Sequence, residues 1–359
     1  MVGDELKRLN GPIFITGHTG FKGSWLSLLL KHLGIEHFGY SLEAEVDSLY
    51  RRANLERTSR GVVGDIRNVE NLSKVLKEIR PSILIHLAAQ PLVLQSYKEP
   101  LETFQTNCIG TANVLKAAFE TPSVESVLVI TTDKVYQNEN TGRRFIESDP
   151  LGGKDPYSAS KVAAESACSA WQKISETKGG PRVLVARAGN VIGGGDLAQN
   201  RLIPDIIRAI SSGKKISIRN PRATRPWQHT LDPLWGYLKF LEKTLGKNAA
   251  PSILNFGPSE PSLEVAYVVE SARNHFTKSF DFDFASDLDV RDLESYQLDL
   301  DSSLARESLG WRPLWTQEQA INRTFRWWEK VLDQPTSVLA ECDREVEYFL
   351  KNHYENMRF

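Results

Sequence analysis

Short apolar runs alternate with amphipathic stretches through the first half of the chain, and that alternation is its tightest constraint on the fold. Pro12–Thr16 predicts a strand, Lys22–Leu33 a helix and Ile35–Tyr40 a second strand. The pattern continues with Gly61–Gly64, a helical stretch at Val69–Ile79 and a strand at Ile83–Leu87. A long helix is expected over Leu101–Phe119, a buried strand at Val127–Ile130, a helix that begins near Tyr157, and a strand at Val183–Ala186. Strands that are apolar throughout are covered on both faces. The chain is therefore expected to be α/β, with a doubly wound parallel sheet.

The loop after the first predicted strand is rich in glycine: Thr16-Gly17-His18-Thr19-Gly20-Phe21-Lys22-Gly23. In this setting Gly17 permits a tight turn, Gly20 a close approach of pyrophosphate to the backbone, and Gly23 close packing of helix on strand. The unpaired N–H groups at the helix start suit an anion. These are the marks of a Rossmann-type dinucleotide site. An acidic residue ending the second strand would hold the adenosine ribose of NAD, but here Tyr40-Ser41 stand, with Glu43 and Glu45 just beyond. Arg51 and Arg52 fit either a 2′-phosphate or solvated surface, so NAD and NADP both stay open here. Asp65 is placed either to meet an adenine edge or to cap a helix.

Tyr157 and Lys161 lie one helical turn apart and share a face. A phenol beside an ammonium ion is a proton acceptor for an alcohol, because the positive charge favours phenolate. Asp133 and Lys134 follow the apolar run Leu128-Val129-Ile130, at the carboxyl edge of the sheet where open α/β folds bind ligands. The alternative account of these two residues is a surface ion pair or a strand cap, and their position at that edge favours function over it.

From about Val191 the texture changes. Gly193-Gly194-Gly195-Asp196 marks a loop, and segments rich in proline and arginine follow. The expected organisation is a nucleotide-binding unit over residues 1–190, with later strand and helix contributions. A smaller α/β unit mainly from residues 191–359 would bind the substrate. The formal net charge of -1 offers no basis for nucleic-acid binding, and no apolar run would span a bilayer. Cys108, Cys168 and Cys342 have neither metal-ligand nor disulfide spacing, and no two histidines form a metal site. A reducing cytoplasm is the expected location.

The glycine loop and the run Tyr157-Ser158-Ala159-Ser160-Lys161 resemble the extended short-chain dehydrogenase/reductases. Four further segments narrow the resemblance to the nucleotide-sugar 4,6-dehydratases: Thr131–Tyr136, Gly189–Asp196, Arg201–Asp205 and Arg225–His229. The resemblance implies NAD as a cofactor regenerated in each cycle, and an NDP-hexose as substrate. It makes Tyr157 the base at the C4 hydroxyl, Lys161 its modulator and nicotinamide-ribose ligand, and Thr132 a hydrogen-bond partner at the same oxygen. Asp133 becomes the acid that protonates the departing C6 oxygen. Lys134 stands where related enzymes carry the glutamate that takes the C5 proton, and is expected to assist that transfer. The cofactor set implied is Gly17, His18, Gly20, Phe21, Lys22, Gly23, Asp65, Ile66, Leu87, Ala88, Ala89, Tyr157 and Lys161. The substrate set is Gln90, Asn190, Arg201, Leu202, Arg219, Arg225 and Arg291. A homodimer or dimer of dimers through the helices near Leu101–Phe119 and Tyr157–Ile174 is implied in the same way, as is a setting in O-antigen deoxysugar synthesis. A C4 epimerase, which needs Tyr157 and Lys161 but not Asp133, is the competing enzyme. A nucleotide-binding protein without catalysis is the competing class.

Overall fold

Four strands at the centre of the protein carry side chains that split cleanly between two cores. In the computed structural model, which describes residues 3–213, 215–218, 220–245, 251–278, 280–284 and 297–356, these strands are β1 (Ile13–Thr16), β4 (Ile83–His86), β5 (Ser126–Ile130) and β6 (Arg182–Ala188). Ile13, Ile15, Ile83, Ile85, Leu128, Ile130, Leu184 and Ala186 face one core. Phe14, Leu84, Val127, Val129, Val183 and Val185 face the other. Side chains alternate across a strand, so a run apolar at every position must be covered twice. Each such aliphatic side chain contributes about 1.5–3 kcal/mol when fully buried. That gain sets the strands in the middle of the molecule.

With β2 (His37–Ser41), β3 (Arg60–Val63) and Ile253–Phe256, the sheet has seven strands, all parallel. Their order is Ile253–Phe256, β6, β5, β4, β1, β2, β3. The order reverses between β1 and β4, which opens a crevice at their carboxyl ends. The expected doubly wound sheet is present, with boundaries shifted by a residue or two. The later strand contribution to the sheet is Ile253–Phe256. It pairs with β6 from far along the chain, after the buried helix Leu231–Leu245, so no local signal marks its place.

The helix expected over Leu101–Phe119 is helical but not uniform. Pro100–Phe104 leads into a π turn at Gln105–Ile109 and then into Gly110–Phe119. The wider turn brings Asn107 inward, where it is 1 % exposed. Its amide accepts the Gln90 N–H at 2.8 Å and donates to Gln90 O at 3.0 Å and Ser160 Oγ at 2.9 Å. The spacing of apolar residues along the sequence does not show that extra residue.

Candidate active site

Pro156–Lys178 forms one long helix. Pro156 opens it and Asp155 caps it, accepting the Ser158 N–H at 3.0 Å. Tyr157 therefore sits in the first turn, with Lys161 directly below, and both are buried. Lys161 Nζ donates to Ile130 O, at the end of β5, at 3.4 Å. Burial lowers the Lys161 ammonium to about 8. Burial also pushes the Tyr157 phenol up to about 12, against a hydrogen bond with Thr132 and the nearby charge of Arg201. Desolvation thus outweighs the help expected from neighbouring cations, and Tyr157 is a phenol at neutral pH in this site. Becoming a base requires further positive charge from a ligand.

Thr132, Asp133 and Lys134 occupy a tight turn at the carboxyl end of β5. Thr132 Oγ1 donates to Asp133 Oδ1 at 3.0 Å and accepts the Lys134 N–H at 3.3 Å. Lys134 Nζ stands 3.7 Å from Asp133 Oδ1. Asp133 is 2 % exposed. A Cβ on Gly189 would lie 3.0 Å from Asp133 Oδ2, so the bare glycine leaves the carboxylate its place. The surface-pair account of Asp133 and Lys134 does not fit this burial.

The glycine loop fits a dinucleotide. Gly17 has φ +79°, and a Cβ there would fall 2.6 Å from Ala88 N. A Cβ on Gly23 would fall 2.1 Å from Gly17 O. Gly20 precedes the helix Phe21–Leu33, and no side chain caps that terminus, which leaves its first N–H groups for an anion. Burial lowers Lys22 to about 8, and the charges of Arg201 and Lys161 push the same way. Leu87, Ala88 and Ala89 turn at the end of β4, where the Leu87 N–H donates to Thr16 O at 3.0 Å and the Ala88 N–H to Thr16 Oγ1 at 3.3 Å.

Several proposed ligands have protein partners of their own. The His18 ring is turned inward, with Nδ1 2.8 Å from Ser41 Oγ and an edge-on contact with Tyr50. It fills the space beside Gly39 and Gly61, and burial lowers it to about 4. Asp65 accepts the Arg67 N–H at 2.8 Å and binds its guanidinium at 2.6 Å, while Ile66 is buried. Asp65 thus closes a local turn, and Asn68 caps the helix Val69–Ile79. Arg51 pairs with Glu43 at 3.3 Å, and Arg52 lies over Trp328 at 5.5 Å. The Gln90 amide donates to Thr103 Oγ1 at 2.9 Å and accepts the Leu92 N–H at 2.6 Å.

On the far side of the crevice, Asn190 precedes Val191–Ile192, which pairs in parallel with Gln228–His229. Arg201 meets Asp196 at 3.0 Å beside Leu202, the first residue of the helix Leu202–Ser212. Arg225 lies in a short strand paired with Leu263–Glu264, its Nη1 donating to Thr224 O at 2.9 Å. Arg219 and Arg291 lie outside the described residues. Glu165 and Arg187 were not singled out in the sequence. Glu165 continues the four-residue spacing of Tyr157 and Lys161, and that was its available signal. His86 and His229 are buried, and no metal-binding cluster occurs among the described residues. No described helix is long and apolar enough to cross a membrane. A cavity of about 620 Å³ lined by Arg52, Asp205, Arg208 and Trp328 is set apart from the Tyr157 cluster and lacks its convergent groups.

A parallel sheet with a glycine loop at its switch point, and a Tyr–Lys helix beside it, defines a nicotinamide-dependent enzyme of alcohol carbons. The chain belongs to the NAD dependent epimerase/dehydratase family, whose pattern it matches over residues 13–257. It is 40% identical to CDP-glucose 4,6-dehydratase of Salmonella typhimurium over 94% of this chain and 96% of that one. It is 27% identical to dTDP-glucose 4,6-dehydratase of Neisseria gonorrhoeae, over 88% and 95%. Among solved structures, a dTDP-glucose 4,6-dehydratase from Streptomyces venezuelae with NAD bound shares the fold with a TM-score of 0.77, at 24% identity, over 90% of this chain and 99% of that one. A UDP-glucose-4-epimerase from Stenotrophomonas maltophila, also with NAD, gives 0.78 at 19% identity, over 90% and 99%.

Proposed function

We propose that this protein dehydrates CDP-D-glucose to CDP-4-dehydro-6-deoxy-D-glucose. The carrying observation is that Asp133, buried and bonded to Thr132, shares one site with Tyr157 and Lys161. A C4 epimerase has no use for a carboxyl group there. Bound NAD supplies the hydride acceptor for C4, the donor for C6, and the positive charge that the buried phenol lacks.

Tyr157 takes the C4 hydroxyl proton, and Thr132 orients that oxygen. Lys161 supports the phenolate, and the ketone formed at C4 acidifies the C5 hydrogen. Asp133 gives its proton to the C6 oxygen, which departs as water, while the C5 proton passes to Lys134 and its electron pair becomes the C5–C6 double bond. Asp133 enters this step as the acid and Lys134 as the amine; Lys134 returns its proton to C5 as C6 becomes the methyl group, and the C4 proton held on Tyr157 restores the Asp133 acid. Gly17, Gly20, Gly23, Leu87, Ala88 and Ala89 shape the cofactor cradle. Asn190, Arg201, Leu202 and Arg225 bind the nucleotide diphosphate, for which guanidinium forks are suited.

The later part of the chain acts as the substrate-binding unit in this reading. The protein works in the cytoplasm as a homodimer or dimer of dimers, within lipopolysaccharide O-antigen deoxysugar synthesis. Support for the dimer comes from Leu101, Phe104, Ile109 and Ile174, large apolar side chains exposed on the two helices concerned. The test is to supply CDP-, dTDP-, UDP- and GDP-glucose without added reductant. CDP-glucose labelled with deuterium at C4 should yield a product with the label in its new methyl group. A stereoisomeric sugar formed without loss of water would replace this reading with the epimerase.

A further inference from the structure

Glu165 stands one turn beyond Lys161 and two beyond Tyr157 on the same helix. Its carboxylate accepts Thr131 Oγ1 at 2.7 Å. It also takes the Arg187 fork on both oxygens, with Nε at 3.0 and 3.1 Å and Nη2 at 2.5 Å. Arg187 Nη1 donates to the Tyr136 hydroxyl at 2.8 Å and to Glu147 O at 2.9 Å. The Tyr136 hydroxyl donates in turn to Asn255 Oδ1 at 2.7 Å, in the last strand of the sheet. Glu165 and Arg187 side chains are each 3% exposed.

Thr131 and Tyr136 bound the turn that carries Thr132, Asp133 and Lys134. One ion pair therefore grips both ends of that turn, and its carboxylate rides on the helix of Tyr157 and Lys161. A planar fork on a carboxylate fixes distance and orientation together. Buried ion pairs are weak sources of stability, because desolvation consumes most of their attraction. Their directional geometry is what an apolar pair could not supply.

We propose that Glu165 and Arg187 form a positioning pair that sets the helix of Tyr157 and Lys161 in register with the turn of Asp133 and Lys134, and so couples dehydration to oxidation. This rests on the dehydratase reading above. Neither residue touches the reacting atoms. The pair acts by holding Asp133 within reach of the C6 oxygen in the sugar pose that also gives Tyr157 the C4 hydroxyl.

Thr131→Val and Tyr136→Phe each cut one end of the grip while leaving Glu165 paired with Arg187, so they spare the fold. Arg187→Lys keeps the charge but loses the fork. Each variant is mixed with CDP-glucose and quenched at short times. Mass then separates the C4 ketone that still carries its C6 hydroxyl from the dehydrated product. Dehydration should slow about tenfold to a hundredfold while oxidation changes less than about threefold, so the hydroxylated ketone accumulates. Amide hydrogen exchange over residues 131–136 should rise in the same variants. A pair that only stabilises the fold would lower both steps together, or neither, with no ketone build-up, and either result overturns the proposal. Unchanged exchange over that turn overturns it as well. Failure of the parent protein to dehydrate CDP-glucose would instead overturn the functional reading, and the exchange measurement would still decide the positioning role.

Discussion

The helix that bears Tyr157 and Lys161 and the turn that bears Asp133 and Lys134 meet in one site, yet they are built in different ways. The helix carries its geometry within itself. A four-residue spacing, a proline at the first position and an aspartate cap are enough to stack the two side chains on one face. The turn is three residues long, and its own hydrogen bonds, from the Thr132 side chain and two backbone N–H groups, close it without fixing where it sits. Contacts from β6 and from the Tyr157 helix hold its ends. Helical chemistry can be moved as a unit, whereas turn chemistry depends on everything packed around it.

The largest effect should come from the helix. Tyr157→Phe removes the proton acceptor for C4 oxidation and should lower turnover by about a thousandfold or more, near the upper range for a single acid–base group. Quenched reactions should then contain neither ketone nor product. A variant that still formed the ketone at the parent rate would break the assignment. Asp133→Asn touches only the turn. It should slow dehydration by about a hundredfold, leaving the hydroxylated C4 ketone to accumulate. Equal loss of both steps would mean that helix and turn are not chemically separate. Lys134→Met should lower solvent deuterium exchange at C5 by about tenfold or more, and unchanged exchange would remove lysine from that step.

Two smaller effects follow from burial. Lys161 has been lowered to about 8, so its charge disappears as pH rises through that value. Oxidation should therefore decline on the alkaline side, and Lys161→Arg should carry whatever activity remains to higher pH. The same burial has a thermodynamic sign. Between about 8 and the ordinary 10.5 the folded protein binds fewer protons than the unfolded chain, so this group's contribution to stability rises with pH across that window. Below it the cost of burying the ammonium is felt in full. Lys161→Met, without activity, should therefore be more stable than the parent at neutral pH, by about 1–3 kcal/mol of unfolding free energy and with a higher melting temperature, the gap closing as pH rises past 8. A lower melting temperature would show that the Ile130 carbonyl and neighbouring groups compensate the charge.

Much of this molecule was legible before its structure. The apolar runs gave the central strands, because burying both faces requires apolar residues at every position. The glycine loop was legible because a backbone turn against Ala88 excludes any Cβ at Gly17. The roles proposed for Tyr157, Lys161 and Asp133 came from the family resemblance, but the shared face of Tyr157 and Lys161 was legible from their spacing, and the place of Asp133 at the sheet edge from the apolar run before it. The inward turn of His18 was not, since the space it fills belongs to Gly39 and Gly61 on other strands. The hydrogen bonds by which the Gln90 amide closes its own loop were not legible either, since Thr103 lies a helix away.

The amino-acid sequence by itself determined the elements whose physics is local: the strands, the glycine turn and the helix of Tyr157 and Lys161. Tertiary structure alone decided the strand Ile253–Phe256, the π turn at Asn107 and the grip of Arg187 and Glu165 on the Asp133 turn. Each of these depends on partners distant in sequence, and the burial that makes their hydrogen bonds necessary exists only once the chain has closed around them.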